Sequence, residues 1–217
     1  MTSQTLKTVE AQSPEPRRQI ATGPGIDSAR VLADLRVLSA DDMEGRQVGT
    51  PGGRKARAFV VERFRAAGVL PFDRGFEQPF SFTTGRGTIT GANVIGYVSG
   101  TGGPRAGTFI VVSAHYDHIG MQGGRVFNGA DDNASGTAAL FEIARYFQRA
   151  PTRHSLLFAA FDAEEEGLRG SQAFVAAPPV AAAAIALNLN ADMIGREPNN
   201  TLYVVGTREQ PFLKPAI

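Results

Sequence analysis

The sequence predicts an α/β fold, a three-layer α/β/α sandwich around a mixed, mainly parallel central sheet. Two observations carry this. Short continuous apolar runs, as in Thr108-Phe109-Ile110-Val111-Val112 and Ser155-Leu156-Leu157-Phe158-Ala159-Ala160-Phe161, are what a strand covered on both faces needs. Between and after them lie segments of helical period, so the order strand, helix, strand, helix, strand emerges. The chain of 217 residues is long enough for one sizeable core and short for two, so residues 26–217 are expected to form a single domain. Residues 1–25, rich in polar residues, Pro and Gly and without an apolar h-region, are expected to be a flexible arm and carry no signal peptide.

Each element follows from its own pattern. Val31, Leu32, Leu35 and Leu38 recur at helical spacing behind Asp27 or Ser28 as N-cap. A second helix is expected over 53–67, with Ala56, Phe59, Val60, Phe64 and Ala67 on one face, Pro51 before it and Gly68 as its stop. Two β-type runs, 76–82 and 93–98, flank the turn residues Thr84-Gly85-Arg86-Gly87 and read as edge or hairpin strands. After the buried strand at 108–112, residues 134–150 predict a helix, with Leu140, Ile143, Ala144 and Phe147 on one stripe. The strand at 155–161 is followed by a short helix over 170–177, ended by Pro178-Pro179. Runs at 185–189 and 202–205 supply two further strands.

Composition narrows the chemistry. Lys and Arg number 22 against 21 Asp and Glu, a formal charge of +1, which gives no basis for a nucleic-acid groove or a polybasic membrane patch. No apolar stretch reaches the ~20 residues of a membrane span. Cysteine is absent, so disulfides, thiolate metal sites and a cysteine nucleophile are excluded, and any metal must be held by His, Asp and Glu. The sequence contains no H-E-x-x-H, no G-x-S-x-G and no G-x-x-x-x-G-K-[ST].

In open α/β sheets ligands bind beyond the carboxyl ends of the strands. The exits here read Ser113-Ala114-His115-Tyr116-Asp117-His118, then Asp162-Ala163-Glu164-Glu165-Glu166, then Asn190-Ala191-Asp192, and the loop before the central helix supplies Asp131-Asp132-Asn133. Taken singly, each has a plain explanation: a hydrogen-bonded core histidine at 115, helix caps at 131 and 132, a turn residue at 192, a solvated acidic run at 164–166. Together on one rim they are carboxylates that would repel one another without a cation or shared protons. Imidazole and carboxylate suit Zn²⁺, and also Mn²⁺ or Co²⁺. Asp117, two positions after His115, is placed to orient the imidazole from behind.

SAHYDHIG, NGADDNASGTAALFEIAR, FAAFDAEEEGLRGSQAF and LNADMIG, in that order, resemble the co-catalytic di-zinc aminopeptidases, metallopeptidase family twenty-eight. DDMEGRQVGTPGGRKARAFVVERFRAAGV is similar to the segment that precedes the catalytic part in many members, and NVIGYVSG to their early strand. The resemblance implies a zinc-peptidase-like sandwich and hydrolysis of a peptide or small amide substrate, with two Zn²⁺ in a complete site. It implies His115 and Asp192 as terminal ligands of one zinc and Asp132 as the bridge. Glu165 would be a ligand of the second zinc and Glu164 the general base. It also implies a cis peptide bond between Asp132 and Asn133, and an exported protein. Glu166 is expected to be solvated or structural and His154 a surface residue; His118, close to the rim, is expected to be structural or solvent-facing, the alternative being a place behind the ligands or, should two zincs bind, as the missing ligand. The family's further histidine ligand, downstream of the last motif, has no counterpart after His154. The C-terminal part of the fold is therefore expected to be missing, with the first zinc site complete and the second retaining only Asp132 and Glu165. A non-catalytic binding module of the same fold is the alternative.

Overall fold

A computed structural model describes residues 25–85, 87–196, 199, 201 and 203–216. Apart from Gly25, the expected N-terminal arm lies outside them. Helix α1 (Ser28–Leu38) starts at Asp27, whose carboxylate accepts from the amides of Ala29 and Arg30. Helix α2 (Pro51–Ala66) has Pro in its first turn and Thr50 as cap, with Thr50 Oγ1 accepting from Gly53 N at 3.1 Å.

Strands β1 (Glu77–Thr84) and β2 (Gly87–Val98) form the expected hairpin, longer on both arms than the apolar runs suggest. The extra residues, Thr83 and Thr84 on β1 and 87–92 on β2, are mostly Thr and Gly and give little apolar signal. Strand β3 (Phe109–His115) is followed by a small ribbon, β4 (Met121–Gln122) with β5 (Arg125–Val126). Then come helix α3 (Gly136–Arg149), strand β6 (Ser155–Phe161), helix α4 (Arg169–Ala176) and strand β7 (Ile185–Asn190).

The sheet runs β1-β2-β6-β3-β7. β6, β3 and β7 are parallel neighbours, while β2 is antiparallel to both β1 and β6. Only β2 thus opposes the common direction, the mixed but mainly parallel sheet the sequence predicts. β6 is buried along its whole length, and its alternate residues serve two cores. Leu156, Phe158 and Ala160 pack with Leu38, Val60, Phe64, Leu140 and Phe141 under α1, α2 and α3. Leu157, Ala159 and Phe161 pack with Ile95, Val111 and Phe174 under α4. These are the three layers.

Two expectations need correction. Residues 203–205 form no strand, and Leu202 lies outside the described residues. β propensity there is not matched by burial: Tyr203 is 70% exposed and Val205 94%. Helix α3 begins at Gly136 and not at Ala134, because Asp132 (φ −100°, ψ 99°) and Asn133 (φ −130°, ψ 45°) leave helical geometry inside the preceding turn. No described helix is long and apolar enough to cross a membrane.

Candidate metal centre

Because β3, β6 and β7 are parallel, their carboxyl ends share one rim, and the loop entering α3 closes it. His115, the last residue of β3, is 3% exposed. Its carbonyl accepts from Thr137 Oγ1 at 2.7 Å, which ties the strand end to α3. Nδ1 faces Asp117, 3.2 Å from its carbonyl oxygen and 3.5 Å from Oδ1. Nε2 is left facing the rim, 3.2 Å from Asp132 Oδ1 and 3.4 Å from Asp192 Oδ1. Burial alone would lower the His115 pKa, but the hydrogen bonds and charges of Asp117 and Asp192 outweigh it and raise it to about 10.

Asp117 also acts across the rim. Its Oδ1 accepts from Glu164 N at 3.0 Å and its Oδ2 from Glu165 N at 3.2 Å, so one buried carboxylate fixes both the imidazole and the acidic turn. That turn lies beyond the strand: β6 ends at Phe161 and Ala163 takes a left-handed φ of 54°. Glu164 and Glu165 therefore part company through a turn and not by strand alternation. Glu164 lines a cavity of about 220 Å³ with His115, Asp192, Leu168, Asn188 and Asn190. Burial raises its pKa, opposed by His115 and reinforced by Asp117, Glu165 and Asp192. Glu165 turns the other way, to His118, whose Nδ1 is 2.7 Å from its Oε1.

Asp132 stands between the two groups. Its Oδ1 points to His115, while its Oδ2 is 3.9 Å from His118 Nδ1. His115, Asp132 and Asp192 bring ligand atoms within 4.8 Å of one another, and so do His118, Asp132 and Glu165. The Asp132-Asn133 peptide is cis. Asn133 holds the loop: its Oδ1 accepts from Gly136 N and Met193 N, and its Nδ2 donates to Ala191 O. Asp131 Oδ1 accepts from Gly195 N, so this side chain braces the segment after Asp192 and does not cap α3.

The structure thus brings His115, Asp132, Glu164, Glu165 and Asp192 to one rim with Asp117 behind them. Three other acids and histidines fall elsewhere. Asp162 turns beneath β2 to accept from Ala92 N, and burial lifts its pKa to about 6. Glu166 is half-buried and joins neither group. His154 is half-buried, with an Nδ1 that lacks a partner, and is not the surface residue expected.

His118, expected chiefly to be structural or solvent-facing, has a ring only 11% exposed and belongs to the second group. One residue of the site, Arg46, escapes the sequence reading. Fully buried, it donates from Nε to Tyr116 O, from Nη1 to Leu38 O and Asn128 O, and from Nη2 to Gly129 O and, at 3.5 Å, Asp132 O. Every N–H of the guanidinium is used, and several hold the loop that carries Asp132. A single Arg after Glu-Gly gives little warning of this.

Residues 93–216 match Peptidase family M28. The chain is 32% identical over 203 residues to leupeptin-inactivating enzyme 1 of Streptomyces exfoliatus, covering 88% of this chain and 42% of that protein. It spans less than half the length of curated relatives such as this one. Among solved structures, a Zn-dependent exopeptidase from Parabacteroides distasonis superposes with a TM-score of 0.65 at 20% identity, over 80% of this chain and 64% of that one. A glutaminyl cyclase from an Acidobacteriales bacterium superposes with a TM-score of 0.67 at 24% identity, over 95% and 73%. At such identities these two show the fold alone. Matched over more than half of its length, through the strands and loops that build this rim, the chain belongs to Peptidase family M28.

Proposed function

We propose that the chain carries the catalytic centre of a zinc-dependent exopeptidase of the aminopeptidase type. His115, Asp132 and Asp192 form one metal site, Asp132 and Glu165 contribute to a second, and Glu164 is the general base. The observation that carries this reading is Asp132, which presents one oxygen to each of two imidazole-and-carboxylate groups. The donor set fits zinc: nitrogen and oxygen ligands only, on a backbone fixed by Asn133, Asp117 and Arg46. Bound there, zinc would supply Lewis acidity to the scissile carbonyl and to the attacking water.

The chain's own groups do the rest. Glu164 stands beside this group on the wall of a cavity wide enough for a small side chain or a free amino terminus. It takes the proton from water as the oxygen bonds to the carbonyl carbon, then gives it to the amine as the C–N bond breaks. Its raised pKa brings a carboxylate closer to the working range of such a shuttle. Asp117 keeps His115 in the tautomer that offers Nε2 to the rim and holds the Glu164 backbone, so base and ligand keep a fixed spacing.

The test is Glu164→Gln, assayed on leucyl chromogenic amides with zinc content measured on the same sample. Turnover should fall by ~10²–10⁴ with zinc unchanged, as for loss of a general base. Loss of zinc together with turnover would make Glu164 a ligand. Ammonia release from an N-terminal glutaminyl peptide, with no peptide bond cut, would assign the centre to cyclisation instead.

A further inference from the structure

The rim has a cavity on each side. Glu164, His115 and Asp192 face the one of about 220 Å³ already described. On the other side Asp117, His118 and Glu165 border a cavity of about 320 Å³, which shares Gln47, Val48 and Glu166 with a further one of about 550 Å³. The two form one groove that leads away from the rim between the start of α2 and residues 88–90 of β2. We propose that this groove binds the leaving portion of a short peptide and that Arg54, at its far end, receives the carboxyl-terminal carboxylate of that peptide. This rests on the exopeptidase reading above and deepens it, naming short peptides with a free carboxylate as the substrate class.

Size and charge run the same way along the groove. The small cavity has room for one side chain and an amino group and the groove for a longer peptide, as removal of a single amino-terminal residue requires. Glu165 stands at the rim end and Glu166 at the junction of the two cavities, whereas the arginines line only the far one. A released peptide has the same polarity, its new amine where the bond was cut and its carboxylate further on. Arg57 has its Nε 3.2 Å from Glu77 Oε2, so its charge is already paired. Arg54 pairs with no carboxylate among the described residues; one nitrogen, Nη1, donates to Gly49 O at 3.0 Å, and the rest of the guanidinium fork is open to a ligand. The first-turn amides of α2 do not compete for this role, since Gly52 N donates to Glu44 Oε2 and Gly53 N to Thr50 Oγ1. Asp162, the other acid of the far cavity, is 3% exposed and accepts from Ala92 N and Ala163 N. The junction itself is fixed: Gln47 O accepts from both N and Oγ1 of Thr50, and a Cβ on Gly53 would meet it at 2.3 Å. Gln47 is half-buried there and offers its side-chain amide to a passing peptide group.

The probes are trialanine and its carboxyl-terminal amide, added to the ¹⁵N-labelled metal-free chain. Trialanine should move the backbone amides of Gln47, Gly49, Ile89 and Thr90 and bind about tenfold more tightly than its amide, the difference one charge-assisted hydrogen-bonded pair makes. In Arg54→Gln acid and amide should bind alike, and in Arg54→Lys part of the preference should return. Unmoved amides elsewhere in the sheet would show both variants folded. Equal binding of acid and amide by the unaltered chain, a preference that survives Arg54→Gln, or shifts confined to residues outside the groove would overturn the proposal. Cleavage of leucyl-trialanine and its amide by the zinc-loaded chain with equal kcat/KM would also overturn it while leaving the peptidase reading intact. Trialanine held in the groove with neither substrate cut would remove the peptidase reading and leave the carboxylate site standing.

Discussion

At the residue scale, the proposed centre turns on Asp132, because among the described residues it alone belongs to both groups that could hold an ion. Asp132→Asn keeps the size of the side chain and removes its charge, so both sites lose a carboxylate. Zinc content should drop at both, whereas Glu166→Gln should leave it unchanged; atomic absorption on the desalted proteins checks this, and metal loss at Glu166 would mean that the acidic run is shifted by one. His115 adds a second expectation. With its pKa raised to about 10 it is protonated at pH 7, and an imidazolium cannot ligate. Zinc binding at pH 7 should therefore release about one proton from this site, read by calorimetry in buffers of different ionisation enthalpy. The same shift fixes a sign. A group whose pKa rises on folding stabilises the metal-free fold fully below its unfolded value near 6.5, and that contribution is lost as pH climbs towards 10. Most of these residues are legible in the sequence because each stands at or just past a strand exit or before a helix. His118 is only half legible: the sequence puts it near the rim, but one histidine in a loop reads first as structural or solvent-facing until the fold places Glu165 beside it.

At the element scale, the rim is only as rigid as the loops that form it. Arg46 spans segments 70 to 86 residues away in sequence through Tyr116, Asn128, Gly129 and Asp132. Burial lowers its pKa to about 10, with the charges of Asp117, Asp132 and Glu165 working against that fall, so it stays charged at neutral pH. Of its carbonyl partners, Gly129 O also accepts from Ala134 N, while the others lose a charged donor if it is removed. Arg46→Met should cost about 3–5 kcal/mol in urea unfolding, as for a buried charge network cut on one side, and should lower zinc retention as well. A loss below about 1 kcal/mol would show that the loop holds itself. Nothing periodic announces such a residue, since its partners are backbone oxygens and not a face of apolar side chains. The strands and helices are legible because burial imposes periods of 2 and 3.6, as in β6 and α3. The apolar run at 202–205 misleads because propensity without a packed face does not make a strand.

At the scale of the whole molecule, the sheet has a well-covered centre and two edge strands, β1 and β7, of which β7 lies beside the most exposed apolar surface. β7 pairs with β3 along one edge, and among the described residues no strand lies along the other. Leu189 on this strand is 50% exposed, and Met193, Val205 and Phe212 add exposed apolar surface. An open edge beside apolar surface invites pairing with another chain. The chain should self-associate with rising concentration in sedimentation velocity, and Leu189→Lys should shift it towards monomer; a sharp monomer at all concentrations would contradict this. The same architecture gathers the candidate ligands, for a parallel trio of strands places all its exits on one side and His, Asp and Glu residues from four separate segments converge there. Anomalous scattering at the zinc edge from crystals grown with zinc tests that convergence most directly. Two peaks are predicted, flanking Asp132, one against His115 and Asp192 and the other against His118 and Glu165. An empty rim in zinc-soaked crystals, or peaks only at sites remote from Asp132, would contradict the account.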